Sequence, residues 1–263
     1  MQVSTTVAEW MERRRAITAS RIGFVPTMGA LHRGHASLVE RCRRENEVVV
    51  VSIFVNPSQF NDPKDLGRYP RTLEQDLAVL KDLGADEVLI PVASELYPHG
   101  YCFRVEAENL TSVMEGAHRP GFLQGVMTIV IKLLNLVRAD RAYFGEKDYQ
   151  QLKTITEMVE DLFIPTEIIP CPTVREESGL AESSRNRLLP AEARRKASCI
   201  FRALSTAPDP ASARSVLEAA GFRVDYVEEH WGRRFAAAHL DGVRLIDNVS
   251  LQERNVTLSG CRQ

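Results

Sequence analysis

His32 and His35 stand three residues apart at the end of the run FVPTMGALHRGH, from Phe24 to His35. Before them, Arg21–Val25 reads as a short buried strand that Pro26 stops, and Thr27-Met28-Gly29-Ala30 reads as a turn of small residues. From about Arg33 the sequence runs into a helix (Ala36, Ser37, Leu38, Val39, Glu40, Arg41). A strand, a tight turn and a helix N-terminus leave backbone N–H groups and the positive end of the helix dipole facing one point, which makes an anion site. At a spacing of three, both imidazoles lie on one side of the first helical turn. The chemistry this stretch suits is the handling of a phosphate. No Gly-Lys-Ser/Thr follows, so it is not a Walker A loop, and it is not a GxGxxG dinucleotide fingerprint. A zinc site would need a third ligand, and neither HExxH nor a Cys/His cluster is near.

Two further segments carry groups of similar use. Gly145-Glu146-Lys147-Asp148 falls between a strand pattern and a helix pattern, from where the Lys147 ammonium can reach the same cradle. Taken alone, the tetrapeptide also reads as an exposed lysine in a charged turn. Ser183-Ser184-Arg185 supplies two hydroxyls and a guanidinium, groups that grip phosphate oxygens, although Ser-Ser-Arg alone also reads as a surface turn. The preceding Glu176-Glu177-Ser178-Gly179 is polar and contains glycine, as a closing loop should.

The hydrophobic pattern supplies elements to hold these segments. Glu47–Val55 (EVVVVSIFV) is an unbroken β-branched run ending at Asn56-Pro57, which reads as a parallel strand covered on both faces. Leu73–Leu83 has helical spacing, with Gly84 as its stop. Glu87–Ile90, Arg141–Phe144 and Thr166–Ile169 read as strands, Gly125–Val137 as a largely buried helix, and Tyr149–Leu162 as a helix. Strands alternating with helices predict an α/β, doubly wound, Rossmann-like parallel sheet. Ligands of such sheets sit at the carboxyl ends of the strands, near the switch in strand order. Pro26–Met28, Asn56–Gln59 and Gly145–Asp148 each follow a strand, so three distant loops are expected at one edge. From about Val174 the pattern changes. Ala191–Ala207 and Ala211–Ala220 read as helices, and Arg223–Val227, Phe235–His239 and Val243–Leu251 as strands, with Asp241-Gly242 a hairpin turn. The expected organisation is a Rossmann-like domain over 1–173 and a smaller α+β domain over 174–263.

A chain of 263 residues is long enough for one large domain and a small one. Apolar content of 44% and charged content of 26% are ordinary for a globular protein. A net charge of −2 gives no broad basic field, which argues against nucleic acid as the main partner. Arg13-Arg14-Arg15 and Arg194-Arg195-Lys196 read as solvated helix faces. The five cysteines (Cys42, Cys102, Cys171, Cys199, Cys261) are widely spaced and contain no CxxC, which fits reduced thiols in a cytosol. No apolar run approaches the ~18 residues of a membrane span, and the N-terminus lacks an apolar signal core. A cytoplasmic setting without a membrane partner is expected.

HxGH after a Gly-containing turn resembles the first signature of the class I aminoacyl-tRNA synthetase and nucleotidyltransferase superfamily. Within it, the chain is similar to the pantothenate synthetase (pantoate–β-alanine ligase) family. The similarity runs through VPTMGALHRGH (Val25–His35), VSIFVNPSQF (Val51–Phe60), RYPRT (Arg68–Thr72) and HRPG (His118–Gly121). It continues at FGEKDYQQL (Phe144–Leu152), SSRN (Ser183–Asn186) and RLIDN (Arg244–Asn248), in the family's order and over nearly the whole chain.

The resemblance implies ATP-dependent condensation of pantoate with β-alanine through a pantoyl adenylate, releasing pyrophosphate and AMP. A carboxylate attacking a polyphosphate has a like-charge problem, so the site must supply donors and cations. By the resemblance His32, His35, Lys147 and Arg185 are catalytic. The ATP site takes Pro26, Thr27, Met28, Gly29, Ala30, Leu31, His32, Arg33, Gly34 and His35, then Gly145, Glu146, Lys147 and Asp148, with Asp148 on the ribose. Val174 would lie against the adenine, and Glu182, Ser183, Ser184 and Arg185 complete the ATP set. Gln59 and Gln151, with Asn56 and Tyr69, would hold pantoate and β-alanine; neutral amides orient a carboxylate without trapping its charge. Mg²⁺ is implied with ATP, without a protein ligand that can be named. The smaller domain would cap the active site, and the family implies a homodimer.

The chain departs from the family's usual pattern in places. Phe122 follows Arg119-Pro120-Gly121 where a histidine is usual, Glu182 stands where Leu or Met is usual, and Gly67 replaces a commonly acidic residue. Phe122 lies outside the HxGH, GEKD and SSRN clusters and is expected to leave the chemistry intact. A related nucleotidyltransferase and a nucleotide-binding protein with reduced or lost turnover are the rival readings; VNPSQF and KDYQQL, which carry both glutamines, weigh against the former. A carboxylate a few ångströms from a triphosphate would cost about 1–4 kcal/mol between unit charges, so the Glu182 side chain is expected to point away from the nucleotide. Glu182→Leu should therefore change kcat/KM for ATP by less than about tenfold in steady-state assays; a larger gain would place that carboxylate against the phosphates.

Overall fold

The computed structural model describes residues 1–61 and 63–252. The chain divides by its contacts into two units, Met1–Glu146 with Gln150–Pro172, and Lys147–Tyr149 with the chain from Thr173 onward.

The first unit runs β1 (Gln2–Ser4), α1 (Val7–Ala16), β2 (Ile22–Thr27), α2 (Arg33–Glu45), β3 (Val48–Ile53), α3 (Pro63–Arg68), α4 (Leu73–Asp82) and β4 (Glu87–Leu89). It continues with α5 (Ala93–Leu96), α6 (Met114–His118), α7 (Phe122–Val137), β5 (Arg141–Gly145), α8 (Tyr149–Asp161, entered from the second unit's Tyr149) and β6 (Glu167–Cys171). The strands form one parallel sheet in the order β1-β4-β3-β2-β5-β6. Strand order reverses between β2 and β5, so the crevice at their carboxyl ends is where such a sheet receives a ligand.

The β-branched run of β3 is buried throughout Val49–Val51, as a strand covered on both faces must be. Val25, Val39, Leu80, Tyr143 and Ile169 pack in the same core. Helix α7 is buried along most of its length, through Leu123, Met127, Val130 and Leu134. It lies close to the turn Pro57–Gln59, because a Cβ on Gly125 would fall 2.3 Å from the Ser58 carbonyl oxygen.

Pro26 does not end its strand. In β2 it registers with Ser52, while β2 pairs with β5 only at Gly23 and Phe24. Pro26 turns its missing N–H toward the β5 side, beyond the last registered pair, so no ladder bond is lost. Pro170 likewise sits within β6, which is an edge strand.

Helix α1 begins on a capping box between Thr6 and Glu9, and its arginines are not simply solvated. Arg13 pairs with the buried Glu87 at 2.8 Å. Arg14 donates to the carbonyls of Val137 at 2.6 Å and Arg138 at 3.0 Å, taking up carbonyls left over where α7 ends in a left-handed Arg138. Trp10, fully buried, donates to the Leu136 carbonyl at 2.9 Å.

The second unit holds α9 (Ala191–Ala197), α10 (Cys199–Thr206), α11 (Pro210–Ala219) and the antiparallel sheet β7 (Arg223–His230), β8 (Arg233–Leu240) and β9 (Val243–Ser250). The expected helix over Ala191–Ala207 is two helices, divided at Ser198, whose hydroxyl donates to the Arg195 carbonyl at 2.8 Å. Asp241 and Gly242 both have positive φ, 47° and 75°, the two-residue hairpin expected there. Trp231-Gly232 makes a second such turn, at 49° and 70°, without the usual Asn or Asp signal. Ile200, Leu204, Leu217, Ala236 and Leu245 form this unit's core. Arg194 in α9 pairs with Glu176 at 2.9 Å, and all three residues of this basic run are exposed, as a solvated helix face should be.

Among the described residues no helix is long and apolar enough to cross a membrane. The Gly125 contact can be tested directly. Gly125→Ala must separate α7 from the Pro57–Gln59 turn and is expected to lower unfolding free energy by about 1–3 kcal/mol, read by urea denaturation; unchanged stability would mean that the two segments part without cost.

Candidate active site

The turn after β2 is held by one carboxylate. Asp76 of α4 is 3% exposed and accepts from the backbone N–H of Ala30 at 2.9 Å and Leu31 at 2.8 Å. The Thr72 hydroxyl donates to both of its oxygens at 3.2 Å. Two consecutive residues, Gly29 (φ 76°) and Ala30 (φ 51°), are left-handed, a conformation that costs an L-residue free energy and persists only when its surroundings fix it. A Cβ on Gly29 would stand 3.0 Å from the Asp76 carboxylate and 3.1 Å from Ile53, so this position has both the angle and the space of a glycine. Thr27 closes the turn, donating to the Ser52 carbonyl at 2.8 Å and accepting from the Gly29 N–H at 3.2 Å.

His32 caps α2. Its Nδ1 accepts from the Gly34 N–H at 3.1 Å, which leaves the proton of a neutral ring on Nε2 as a donor. The His35 ring lies 4.1 Å from that of His32, centroid to centroid. The imidazole pair expected from the spacing therefore exists, at the N-terminus of a helix that follows the strand beside the reversal point.

The loop after β3 comes to the same edge. Asn56 is 1% exposed; its Nδ2 donates to Gln59 Oε1 and to the Gly125 carbonyl, both at 3.1 Å. Its Oδ1 accepts from the Tyr97 hydroxyl at 2.9 Å and the Ser58 hydroxyl at 3.0 Å. Burial pushes the Tyr97 phenol above its ordinary range, which keeps it a neutral donor. With Oε1 fixed by Asn56, Gln59 turns its Nε2 to the Met28 sulfur at 2.8 Å, joining the two loops. Tyr69 is buried edge-on against Phe60, 5.7 Å between centroids. Of the neighbouring glutamines in α8, Gln150 is spent on structure, accepting from the Glu115 N–H and donating to the Leu110 and Val113 carbonyls. Gln151 is half-buried, and its side chain engages no partner among the described residues. Phe122 lies under the Arg119 guanidinium, 3.7 Å from ring centroid to Cζ. Gly145 and Glu146 end β5 and open its turn at the same edge of the sheet.

The remaining expected residues belong to the second unit. Lys147 pairs with Asp148 at 3.7 Å, and its carbonyl accepts from Asn248 at 2.9 Å. The Val174 carbonyl accepts from the Glu182 N–H at 2.9 Å. Ser183 caps the short turn Ser184–Leu188, accepting from the Arg185 N–H at 3.3 Å. Arg175 grips Asp247 through two bonds of 2.6 and 2.9 Å and donates to the Gly179 carbonyl at 3.1 Å, closing the loop before that run.

The sequence alone does not assign a task to Asp76, Tyr97, Arg175 or the pair Asp247-Asn248. Asp76 carried a weak signal: an acid in the first turn of a helix is ordinary dipole chemistry, and only its spacing of four from Thr72 hints at a shared task. Among the described residues no group of three or more His, Cys, Asp or Glu could hold a metal ion.

A strand, a tight turn and a helix N-terminus at the reversal point of a parallel sheet mark the nucleotide-handling α/β enzymes. Comparison with known proteins narrows this class. The profile described as pantoate-beta-alanine ligase matches residues 2–250. Pantothenate synthetase of Bdellovibrio bacteriovorus is 50% identical over 250 residues, 95% of this chain and 99% of that one. The Legionella pneumophila enzyme of the same name is 48% identical over 252 residues, 95% of this chain and all (100%) of its own. Among solved structures, pantothenate synthetase from Thermus thermophilus superposes with a TM-score of 0.89 at 45% identity, covering 95% of this chain and 99% of that one. Pantoate-beta-alanine ligase from Francisella tularensis does so with 0.92 at 39% identity, covering 96% and 98%. The chain belongs to the pantoate–β-alanine ligase family, and it is an ATP-dependent ligase.

The cradle depends on Asp76. Asp76→Ala leaves two buried N–H groups without their acceptor and is expected to cost about 2–5 kcal/mol of stability by urea denaturation. The same variant should lose more than about tenfold in kcat/KM for ATP; wild-type kinetics would show that the turn keeps its shape without the carboxylate.

Proposed function

We propose that the chain joins pantoate to β-alanine in two steps on one nucleotide. A pantoate carboxylate oxygen attacks the α-phosphorus of ATP, and the bond to the β-phosphate bridging oxygen breaks, so pyrophosphate leaves with that electron pair. The amine of β-alanine then attacks the acyl carbon of pantoyl adenylate, loses a proton, and AMP departs as the amide forms. The observation that carries this reading is the left-handed turn Gly29-Ala30, pinned by Asp76 and ending at the His32–His35 pair on a helix N-terminus.

In this reading the backbone from Pro26 to Leu31, with Arg33 and Gly34, cradles the nucleotide, while His32 and His35 donate to oxygens around the transferring phosphorus. Lys147 and Arg185 neutralise charge that spreads onto the leaving pyrophosphate, with Ser183 and Ser184 as hydroxyl donors. Gly145, Glu146 and Asp148 line the ribose side, Val174 meets the adenine, and Glu182 touches the nucleotide through its backbone alone. Gln59 and Gln151 orient pantoate beside Tyr69, and Asn56 acts through Gln59, whose amide it fixes. Mg²⁺ would travel with the phosphates and water.

The Francisella tularensis neighbour is described as complexed with beta-gamma ATP and beta-alanine, which supports placing both nucleotide and amine here. The same family resemblance supports a homodimer, and the cysteine usage a cytoplasmic setting. A nucleotide-binding protein without turnover is not favoured by relatives that match over nearly their whole length.

The test is product formation from ATP, pantoate and β-alanine, omitting each acceptor in turn. Without pantoate no pyrophosphate should appear, and without β-alanine release should stop near one turnover. His35→Ala is expected to lower AMP formation by about a hundredfold or more, and full activity in that variant would remove His35 from the chemistry.

A further inference from the structure

The motif Arg244–Asn248 has no part in the chemistry above, yet its last two residues hold the segments of their own unit that carry charge. Asn248 of β9 is 2% exposed. Its Nδ2 donates to the Lys147 carbonyl at 2.9 Å, and its Oδ1 accepts from Arg233 Nε at 2.6 Å. A guanidinium has only donors and a carbonyl only accepts, so the amide is locked in one orientation. Arg233 also lies over the Tyr149 ring, 4.5 Å from Cζ to the centroid, and Tyr149 packs 6.1 Å from Phe235 of β8. The short segment Lys147–Tyr149 is thus held at both ends, by a hydrogen bond on the backbone of its first residue and a cation–π contact on its last.

We propose that Asn248 is a positioning residue for the adenylation step, fixing the backbone of Lys147, and so the origin of its ammonium, with Arg233 locking the Asn248 amide. This rests on the reading of Lys147 as the cation that meets the leaving pyrophosphate. A lysine is a compact charge on a flexible stem. Where charge must be met as it develops, a small displacement of the stem's root costs rate. Transfer to β-alanine begins after pyrophosphate has formed, so that step draws less on the lysine. The effect of Asn248 should therefore fall on the first step.

The measurement is pantoate-dependent exchange of labelled pyrophosphate into ATP by the full chain, in wild type, Asn248→Ala, Lys147→Ala and the double variant. Asn248→Ala is expected to lower the exchange rate by about tenfold or more, with KM for β-alanine in the overall reaction unchanged. In the Lys147→Ala background the same substitution should cost less than about twofold, because the group it positions is gone. Equal fractional losses in both backgrounds would overturn the proposal, since Asn248 would then act independently of the lysine.

A large loss in Lys147→Ala with none in Asn248→Ala would overturn the positioning role and leave the lysine's own role standing. Full exchange in Lys147→Ala would remove both. Asn248→Asp guards against misfolding of the alanine variant: it keeps an acceptor for Arg233 but has no donor for the Lys147 carbonyl. Losing that donor should lower the thermal midpoint by only a few degrees, about 2–4 °C per kcal/mol, and the folded variant should show the same loss of exchange; a folded variant with full exchange would overturn the proposal.

Discussion

A buried carboxylate that accepts two backbone N–H groups and a hydroxyl is satisfied only while those donors stay where they are. Asp76 is in that position, and the turn it holds contains adjacent left-handed residues that would not otherwise keep their shape. The constraint propagates along the chain. With Ala30 and Leu31 fixed, His32 falls at the cap of α2, and the cap bond to Gly34 selects the ring nitrogen that carries the proton. The shape of this edge therefore depends on a residue that faces the protein interior.

A second layer of polar contacts works in the same manner beneath the strand ends. Asn56 has its amide fully engaged, and what it fixes is the orientation of Gln59, a side chain that could otherwise present either oxygen or nitrogen. The smaller unit repeats the pattern with Asp247 on Arg175 and Asn248 on the Lys147 carbonyl. In each case a buried acid or amide sets the geometry of a neighbour. The cost of leaving such groups unpaired in the interior is what makes each arrangement close to single-valued.

Much of this was legible in the sequence where the signal is local. The strand–turn–helix of the HxGH region, the buried helix α7 and the Asp241-Gly242 hairpin each rest on a pattern within a dozen or so residues. What stayed hidden depends on partners distant in the chain. The arginines of α1 look solvated until the carbonyls at the end of α7 are placed beside Arg14. Asp76 looks like a helix-dipole acid until the Ala30 turn comes against it. Pro26 reads as a strand breaker because sequence does not reveal that the side bearing its missing N–H lies past the last β5 pair. The break at Ser198 is a different case, for a serine in a helical pattern is compatible with either outcome.

The segment Lys147–Tyr149 packs with the smaller unit, although β5 before it and most of α8 after it belong to the larger one. The polypeptide therefore crosses between its two bodies three times rather than once. A cut after Pro172 would not release a finished N-terminal piece: it would strip three residues of their neighbours in β8 and β9 and leave a gap in the midst of a continuous chain. The smaller unit is in this sense not one uninterrupted stretch of sequence.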